Sequence, residues 1–465
     1  MKIREKFFGD KRFYRRVASL AIPIILQNGI TNFVSLLDNI MVGSLGTEQM
    51  SGVSIVNQFI FIFNLLIYGA ISGAGIFCVQ YHGNGDQNGI KHTFRFKLYL
   101  NIFLTVLSMG ALVIFDEALI STFLFFESDT SGDLALTLSE GLAYLKIMLI
   151  GLIPYTISQV YASTLRETEH TVLPMVASIV AVFTNFGLNY VLIFGNFGFD
   201  PMGVRGAAIA TVISRFAELA ILVIWSHLNT DKCLYFKGVF KSFSIPLDLV
   251  KRMFLKALPL MANEFFWSIS LTLRNQCYAT RGIDVVAAQN ICSTIFNVFS
   301  VVYMSFGTVI SIMVGSLLGQ GKFTEAKDTN RKVLVCSVFC GVTLGTLLAT
   351  SSSFFPELYN TEDSVKSLAT YMMIISGVYM PLYAFNNSSY FSIRSGGSVG
   401  ITFVMDSGFM WMVMLPVSLI FSRFTDIDIH GLFAICQGAE AMKSTISFYM
   451  LKRGTWTKRL VGNKE

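Results

Sequence analysis

The amino-acid sequence predicts an all-α polytopic membrane protein, with twelve transmembrane helices in two pseudo-symmetric six-helix bundles around a central cleft. Three observations predict it: low charge content, twelve apolar segments and a gapless internal repeat. Hydrophobic residues make up 53% of the 465 residues and charged residues only 14%, against about 25% charged in soluble domains. So few charges cannot cover a soluble protein of this size. This excludes an ordinary soluble enzyme, a disordered chain and a nucleic-acid-binding protein.

Twelve apolar segments have lengths suited to the roughly 20 residues that an α-helix needs to cross a bilayer. They cover residues 17–43, 53–80, 97–115, 138–162, 172–195, 203–227, 254–279, 287–318, 333–355, 368–392, 399–422 and 430–451. The first segment is too long for a signal-peptide core and no small-residue cleavage site follows it, so we interpret it as a membrane helix.

The basic residues between the segments orient the chain in the membrane. If both termini lie on one side, that side carries 27 lysines and arginines and the opposite side carries four. The positive-inside rule assigns the side rich in basic residues to the cytoplasm. We therefore predict a multi-pass protein of the plasma membrane with both termini cytoplasmic.

The sequence repeats itself. Residues 15–91 align with residues 251–327 without a gap, at a fixed offset of 236. The matched positions include Pro23 with Pro259, Asn39 with Asn275, and Gly83 with Gly319. Each half holds an even number of segments, so both halves share one orientation in the membrane. We predict an N-terminal six-helix lobe over residues 1–230, a cytoplasmic inter-lobe loop over 231–252, and a C-terminal lobe with a cytoplasmic tail over 253–465.

Catalytic and metal-binding patterns are weak in this sequence. The seven cysteines are odd in number and include no C-x-x-C pair, so we interpret them as small buried hydrophobic side chains. No H-E-x-x-H occurs. The stretch 315–322 resembles a phosphate loop only loosely, because its spacing is wrong and Phe323 stands where Ser or Thr is required. We therefore expect no enzymatic activity and no cofactor.

Charged side chains inside membrane segments cost about 2.5–3.5 kcal/mol each on insertion scales, so they are expected only where they are paired or functional. The acids are Asp38, Glu218, Glu264, Asp406 and Glu440, and the bases are Lys146, Arg215, Arg274 and Lys443. Two acid–base pairs are spaced three residues apart, and each is predicted to neutralise itself on its own helix. These pairs are Arg215 with Glu218 and Glu440 with Lys443.

Four polar residues of the first half fall at a similar depth in the membrane. They are Asp38, Asn185, Asn189 and Thr211. At 1.5 Å of rise per residue, all lie about 8–14 Å from the outer ends of their segments. Oxygen ligands around a carboxylate suit a hard cation, so Na⁺ is a candidate at Asp38, Asn185 and Asn189. The same group equally suits a carboxyl group that carries a proton, or a hydrogen-bond network that only packs helices.

The second half carries a different set of polar residues. Arg274 takes the repeat position of Asp38, which excludes a copy of the first site. A second carboxylate site is predicted from Glu264, Trp267, Asn386, Asp406 and Trp411. Carboxylates beside aromatic rings suit organic cations, so we interpret this set as a substrate site. The alternative is that Glu264 or Asp406 pairs structurally with Arg274.

Three stretches of the sequence resemble the multidrug and toxic compound extrusion (MATE) transporters, and the resemblance covers nearly the whole chain. They are residues 37–48 (LDNIMVGSLGTE), 185–195 (NFGLNYVLIFG) and 202–211 (MGVRGAAIAT). The resemblance implies an antiporter that exports amphipathic, often cationic compounds in exchange for Na⁺ or H⁺. It assigns the cation site to Asp38, Asn185, Asn189 and Thr211.

The same resemblance extends in part to the second half. Glu264 looks like a glutamate that some relatives carry in an Asn-Glu-x-x-Trp-Ser stretch. An aspartate of the best-known branch is missing, because residues 383–387 read YAFNN. The resemblance therefore does not carry over the coupling scheme of that branch.

Other functions compete with export. A lipid-linked oligosaccharide flippase of the same superfamily usually has more basic residues around its substrate, whereas the candidate residues here are mainly acids and amides. A channel fits two like-facing bundles less well than a carrier that works by alternating access. We expect a monomer whose partners are a small amphipathic substrate and the lipid bilayer, with no nucleic acid.

Overall fold

The computed structural model describes residues 7–126, 133–359 and 361–462. The outermost residues of both predicted cytoplasmic termini, 1–6 and 463–465, lie outside the described residues. The described chain folds into a series of α-helices. In chain order they are α1 (Lys11–Gly43), α2 (Thr47–Asn84), α3 (Gln87–Ile114), α4 (Asp116–Phe126), α5 (Leu134–Glu167), α6 (Val172–Phe194), α7 (Gly203–Leu228), α8 (Leu247–Ala279), α9 (Ile283–Gly319), α10 (Phe323–Thr350), α11 (Asp363–Ser395), α12 (Val399–Arg423) and α13 (Ile429–Arg453).

Ten helices of the described chain are long and apolar enough to cross a membrane by length and composition. The other two long helices, α8 and α13, coincide with the predicted segments 254–279 and 430–451. Both carry charged residues well inside the helix: Glu264 and Arg274 in α8, and Glu440 and Lys443 in α13. Every predicted segment thus falls largely within a helix, whereas the number that spans the bilayer stays a prediction.

The helices depart from the hydropathy pattern in two ways. First, α3 and α10 each begin ten residues before the apolar segments 97–115 and 333–355. Their early turns are charged, so hydropathy alone does not register them as helix. Second, the short helix α4 lies between two predicted segments. Asp116 and Glu117 occupy its first turn, where negative charge stabilises a helix N-terminus.

The chain is organised in two compact units. Unit 1 consists of Met1–Ile25, Val79–Asp86 and Leu258–Glu465, and unit 2 of Leu26–Cys78 and Gln87–Ala257. Helices α1, α2 and α8 therefore contribute to both units. Helices α3 to α7 belong to unit 2, and α9 to α13 belong to unit 1.

The internal repeat extends to the helix boundaries. The bounds of α8 and α10 equal those of α1 and α3 shifted by 236 residues, and α9 ends one residue earlier than the same shift of α2 predicts. Pro23 and Pro259 lie at equivalent positions inside α1 and α8. The gapless alignment seen in the sequence therefore corresponds to three pairs of equivalent helices.

Within unit 1, α2 and α9 approach each other through glycines at equivalent repeat positions. A Cβ atom on Gly83 would meet the backbone carbonyl of Ser316, and one on Gly319 would meet the backbone carbonyl of Gln80. Gln80 and Ser316 are themselves 236 residues apart, so the contact is reciprocal. Small residues permit this close approach of two helix backbones, and these two positions have room only for glycine.

The residues after α13 bind the same end of α2. The fully buried side chain of Gln80 donates from Nε2 to the carbonyl oxygens of Ser395 (3.0 Å) and Lys458 (3.2 Å). Its Oε1 accepts from the backbone N–H of Leu460 at 2.7 Å. Trp456 is buried in the apolar core of unit 1. Residues 454–462 are therefore a packed part of unit 1.

Gly319→Ala is expected to lower the thermal unfolding midpoint of the protein. The added methyl group would overlap a backbone carbonyl that cannot move without displacing α2, and overpacking typically costs about 1–3 kcal/mol. Gly110→Ala on α3 is the control, because its Cβ would meet no atom within 4 Å. It should stabilise by about 0.5–1 kcal/mol. Equal midpoints for the two variants, measured in detergent, would contradict the proposed contact.

Candidate functional site

Asp38 in unit 2 is capped by two asparagine side chains from α6. Asn189 Nδ2 donates to Asp38 Oδ1 at 2.7 Å. In the amide orientation that satisfies both of its ends, Asn185 Nδ2 lies 2.9 Å from both carboxylate oxygens, and its oxygen accepts from Thr211 Oγ1 at 3.2 Å. Asn185 and Asn189 reach the same carboxylate because residues four apart share one face of a helix. The structure thus brings all four predicted residues of the first site together.

This group keeps an open acceptor. Asn189 is buried, and its Oδ1 has no hydrogen-bond partner among the described residues. A buried polar atom without a partner costs about 1–3 kcal/mol unless a bound water or ion satisfies it. A cation beside Asp38 could take the carboxylate oxygens and Asn189 Oδ1 as ligands.

The charge of Asp38 is not neutralised by a basic side chain. No lysine, arginine or histidine in the described ranges forms an ion pair with it. Its side chain is partly exposed, while the two asparagines that contact it are buried. The arrangement therefore leaves an acidic group reachable from one side and held by neutral donors on the other.

The local pair predicted between Arg215 and Glu218 does not form in the described structure. Glu218 Oε1 accepts from Ser178 Oγ at 2.7 Å, and Ser178 Oγ accepts from Gln27 Nε2 at 2.8 Å. The Arg215 guanidinium stacks over the Tyr155 ring, 5.0 Å from its centroid. Each side chain thus contacts a residue of another helix: Glu218 contacts Ser178 on α6, and Arg215 contacts Tyr155 on α5.

In unit 1, Asp406 forms an ion pair that the sequence did not reveal. Lys443 Nζ lies 2.7 Å from Asp406 Oδ1, and Asn263 Nδ2 donates to Asp406 Oδ2 at 3.0 Å. Asn263 Oδ1 in turn accepts from Ser407 Oγ at 2.8 Å. The predicted local pair of Lys443 with Glu440 is therefore replaced by a contact between α12 and α13.

The structure does not bring the five residues of the second predicted site together as one group. Glu264 on α8 interacts electrostatically with Asp406 on α12. Trp411 on α12 donates from Nε1 to the carbonyl oxygen of Phe266 on α8 at 3.0 Å. Trp267 packs against the apolar core of unit 1. Asn386 lies apart from them, because its Nδ2 donates to Glu440 Oε2 at 2.9 Å.

Arg274 does not take the role considered for it as an alternative. Among the described residues it forms no ion pair with Glu264 or Asp406. Its electrostatic neighbours are Tyr278, Tyr383 and Glu440. The basic partner of the second carboxylate site is Lys443 instead.

Asn263 and Lys443 are the residues of this site that the sequence analysis missed. Asn263 directly precedes Glu264, but adjacent residues of a helix point in different directions, so this position gave no signal for a contact with α12. Lys443 gave no such signal, because its apparent partner Glu440 lies one turn away on α13 and the real partner is on α12. Contacts between helices cannot be read from spacing within one helix.

Comparisons with known proteins place the chain among transporters. The sequence model of the MatE family matches residues 23–191 and 259–420, which together make up most of the chain. The chain is 24% identical to "Probable multidrug resistance protein NorM" of Thermotoga maritima, over 97% of this chain and 95% of that one. It is 23% identical to "Probable multidrug resistance protein YoeA" of Bacillus subtilis, over 96% and 95%.

Solved structures share the fold of the described chain. A MOP superfamily transporter from Pyrococcus furiosus superposes with a TM-score of 0.85 at 17% identity, covering 98% of this chain and 99% of that one. A MATE crystal structure in the bent conformation gives a TM-score of 0.86, also at 17% identity, covering 98% of each chain. At this identity the likeness shows the fold alone.

Proposed function

Because the chain belongs to the multidrug and toxic compound extrusion (MatE) family, we propose that it is a secondary active antiporter that exports amphipathic cations in exchange for Na⁺ or H⁺. The single observation that carries the proposal is the Asp38 carboxylate, held by two amides and unpaired with any basic side chain of the described chain. The relatives named multidrug resistance proteins support a drug or a metabolite as cargo.

We also propose the architecture that such a carrier needs. Its twelve long helices form two pseudo-symmetric six-helix bundles, with residues 231–252 as the cytoplasmic inter-lobe loop. The equal helix bounds of α1 to α3 and α8 to α10 support the symmetry. The 27-to-four distribution of basic residues supports cytoplasmic termini in a plasma membrane. The protein works as a monomer and catalyses no reaction.

Asp38 is the proposed coupling residue. A Na⁺ ion would take oxygen ligands from Asp38 and Asn189, whereas a proton would bind the carboxylate itself. Either one removes the negative charge to which the two amide groups donate. Occupancy therefore changes the hydrogen bonds that tie α1 to α6, and a ligand shifts a conformational equilibrium only through such differential contacts.

Asp406 and Glu264 form the proposed substrate site, with Trp411 beside them. Acidic groups next to aromatic rings attract organic cations. The first candidate site consists of an acid, two amides and a hydroxyl, and the second holds two carboxylates against one lysine. This excess of acidic groups favours cation export over the flipping of a lipid-linked oligosaccharide, whose diphosphate would need basic partners. Asn386, which contacts Glu440, is proposed to support the neighbouring network and not the substrate.

Transport of a cationic dye across proteoliposome membranes tests the proposal. The purified protein is reconstituted, and an inward Na⁺ gradient or an inward proton gradient is imposed separately. One of the two gradients should drive dye movement in the opposite direction, and collapsing it should stop the movement. Equal dye movement with and without both gradients would overturn antiport and favour a channel.

A further inference from the structure

A groove of about 350 Å³ lies between α12 and α13 in unit 1. Its walls include Gly400, Val404, Gly408 and Met412 on α12, and Lys443 and Ile446 on α13. Lys443 is the one charged residue in the lining, and the others are glycines and apolar side chains. The volume falls at the lower end of the range of small-molecule sites in proteins.

The shape of the groove follows from the irregular winding of α12. Residues Val404–Gly408 and Met410–Met414 are π-helical, whereas both ends of α12 are α-helical. In an α-helix, residues four apart drift around the axis, because one turn holds 3.6 residues. The wider π turns offset this drift and keep positions spaced by four on one wall. Short π-helical stretches of this kind are frequent at functional sites.

The groove opens outward from the protein. Val404 is 56% exposed and Met412 is 71% exposed, and no atom lies within 4 Å of where a Cβ on Gly400 would stand. Because the helices that form it are apolar along this face, the opening faces the bilayer if α12 spans the membrane. A compound dissolved in the lipid could therefore enter without passing through water.

An acid lies directly behind the charged wall residue. Lys443 Nζ bonds Asp406 Oδ1 at 2.7 Å, and the two side chains are only 15% and 19% exposed. The ammonium group of Lys443 thus occupies the position beside Asp406 that the charge of an organic cation would take. A cation that entered the groove would compete with this ammonium group for the same carboxylate oxygen.

We propose that this groove is a binding site for lipophilic organic monocations, open to the membrane and adjoining the proposed substrate site at Asp406, and that Lys443 competes with them for Asp406. The proposal rests on the proposed export function for its substrate class. The apolar part of the ligand lies along the glycine-containing wall of α12. Its charge lies beside Asp406 after Lys443 has turned away.

Equilibrium binding of tetraphenylphosphonium to the purified full-length protein tests this site. Gly400→Leu fills the open end of the groove and should raise the Kd at least about tenfold, as expected when an apolar pocket loses its fit. Gly110→Leu is the matched control, because Gly110 is also an exposed helical glycine with no atom within 4 Å of its Cβ position. It should bind as the wild type does.

Lys443→Met gives the test of the competition. Removing the built-in ammonium group should lower the Kd, whereas a purely structural lysine would give weaker binding or none. If Lys443→Met does not fold, the comparison of Gly400→Leu with Gly110→Leu still tests whether the groove binds the cation.

Unchanged binding by Gly400→Leu would refute cation binding in the groove. Gradient-driven export by the wild type would still support the proposed function. Absent export together with weakened binding by Gly400→Leu would overturn the function and leave the groove.

Discussion

Asp38→Asn is expected to abolish gradient-driven export while the protein stays folded. The amide cannot ionise, so it can neither bind a proton at this position nor supply a negative charge to Na⁺. Coupling free energies are typically about 1–3 kcal/mol, and losing one changes affinities about 5–150-fold. The variant should therefore move dye no faster with a gradient than without one, as measured in proteoliposomes.

Glu218→Gln provides the matched comparison for Asp38→Asn. Glu218 is also a membrane-segment acid of unit 2, but its contact is the Ser178 hydroxyl, outside the four-residue group. It should retain coupling. Wild-type coupling by Asp38→Asn would refute the assignment, and an equal loss in both variants would show that any lost acid disturbs unit 2.

Glu167→Gln is expected to destabilise the protein by about 3–5 kcal/mol, the usual cost of leaving a buried charge without its partner. Lys97 on α3 is fully buried, and its Nζ forms an ion pair with Glu167 on α5. The hydroxyl groups of Ser163 and Thr164, at 3.3 and 3.4 Å, complete its contacts. Without the carboxylate, only neutral groups face the ammonium group: these two hydroxyls and the new amide. Thermal unfolding in detergent measures the change.

The double variant Lys97→Met with Glu167→Gln separates the charge from the packing. Replacing both partners of a buried ion pair is often close to neutral, because the desolvation cost disappears with the charges. The double variant should therefore be more stable than Glu167→Gln alone. Additive losses would show that the pair is not coupled.

Much of the fold could be predicted because the membrane imposes it. Apolar length alone located every long helix, and repeat positions such as Pro23 and Pro259 showed that α1 and α8 are equivalent. The helix ends were missed where they leave the apolar layer, as at the start of α3. The division of α1, α2 and α8 between the two compact units has no signal in the sequence, because no local pattern records which helices touch.

The two sites differed in predictability for a physical reason. Asp38, Asn185 and Asn189 could be grouped because depth along straight helices is simple arithmetic and two of them share a face. Around Asp406 the same arithmetic failed. The π-helical winding of α12 changes the directions in which its side chains point, and nothing in the sequence spacing records this. The partner of Asp406, Lys443, also belongs to another helix.

The glycine crossing of α2 and α9 gives two repeats of one chain the geometry of a symmetric interface. A contact in which Gly83 touches the counterpart of Gln80, while the counterpart of Gly83 touches Gln80, is what two identical subunits form around a twofold axis. Inside this single polypeptide the two repeats form the same reciprocal contact through Gly83 and Gln80 on one side and their counterparts Gly319 and Ser316 on the other. Because both repeats lie in one chain, a position in one can differ from its counterpart in the other, as Asp38 and Arg274 do.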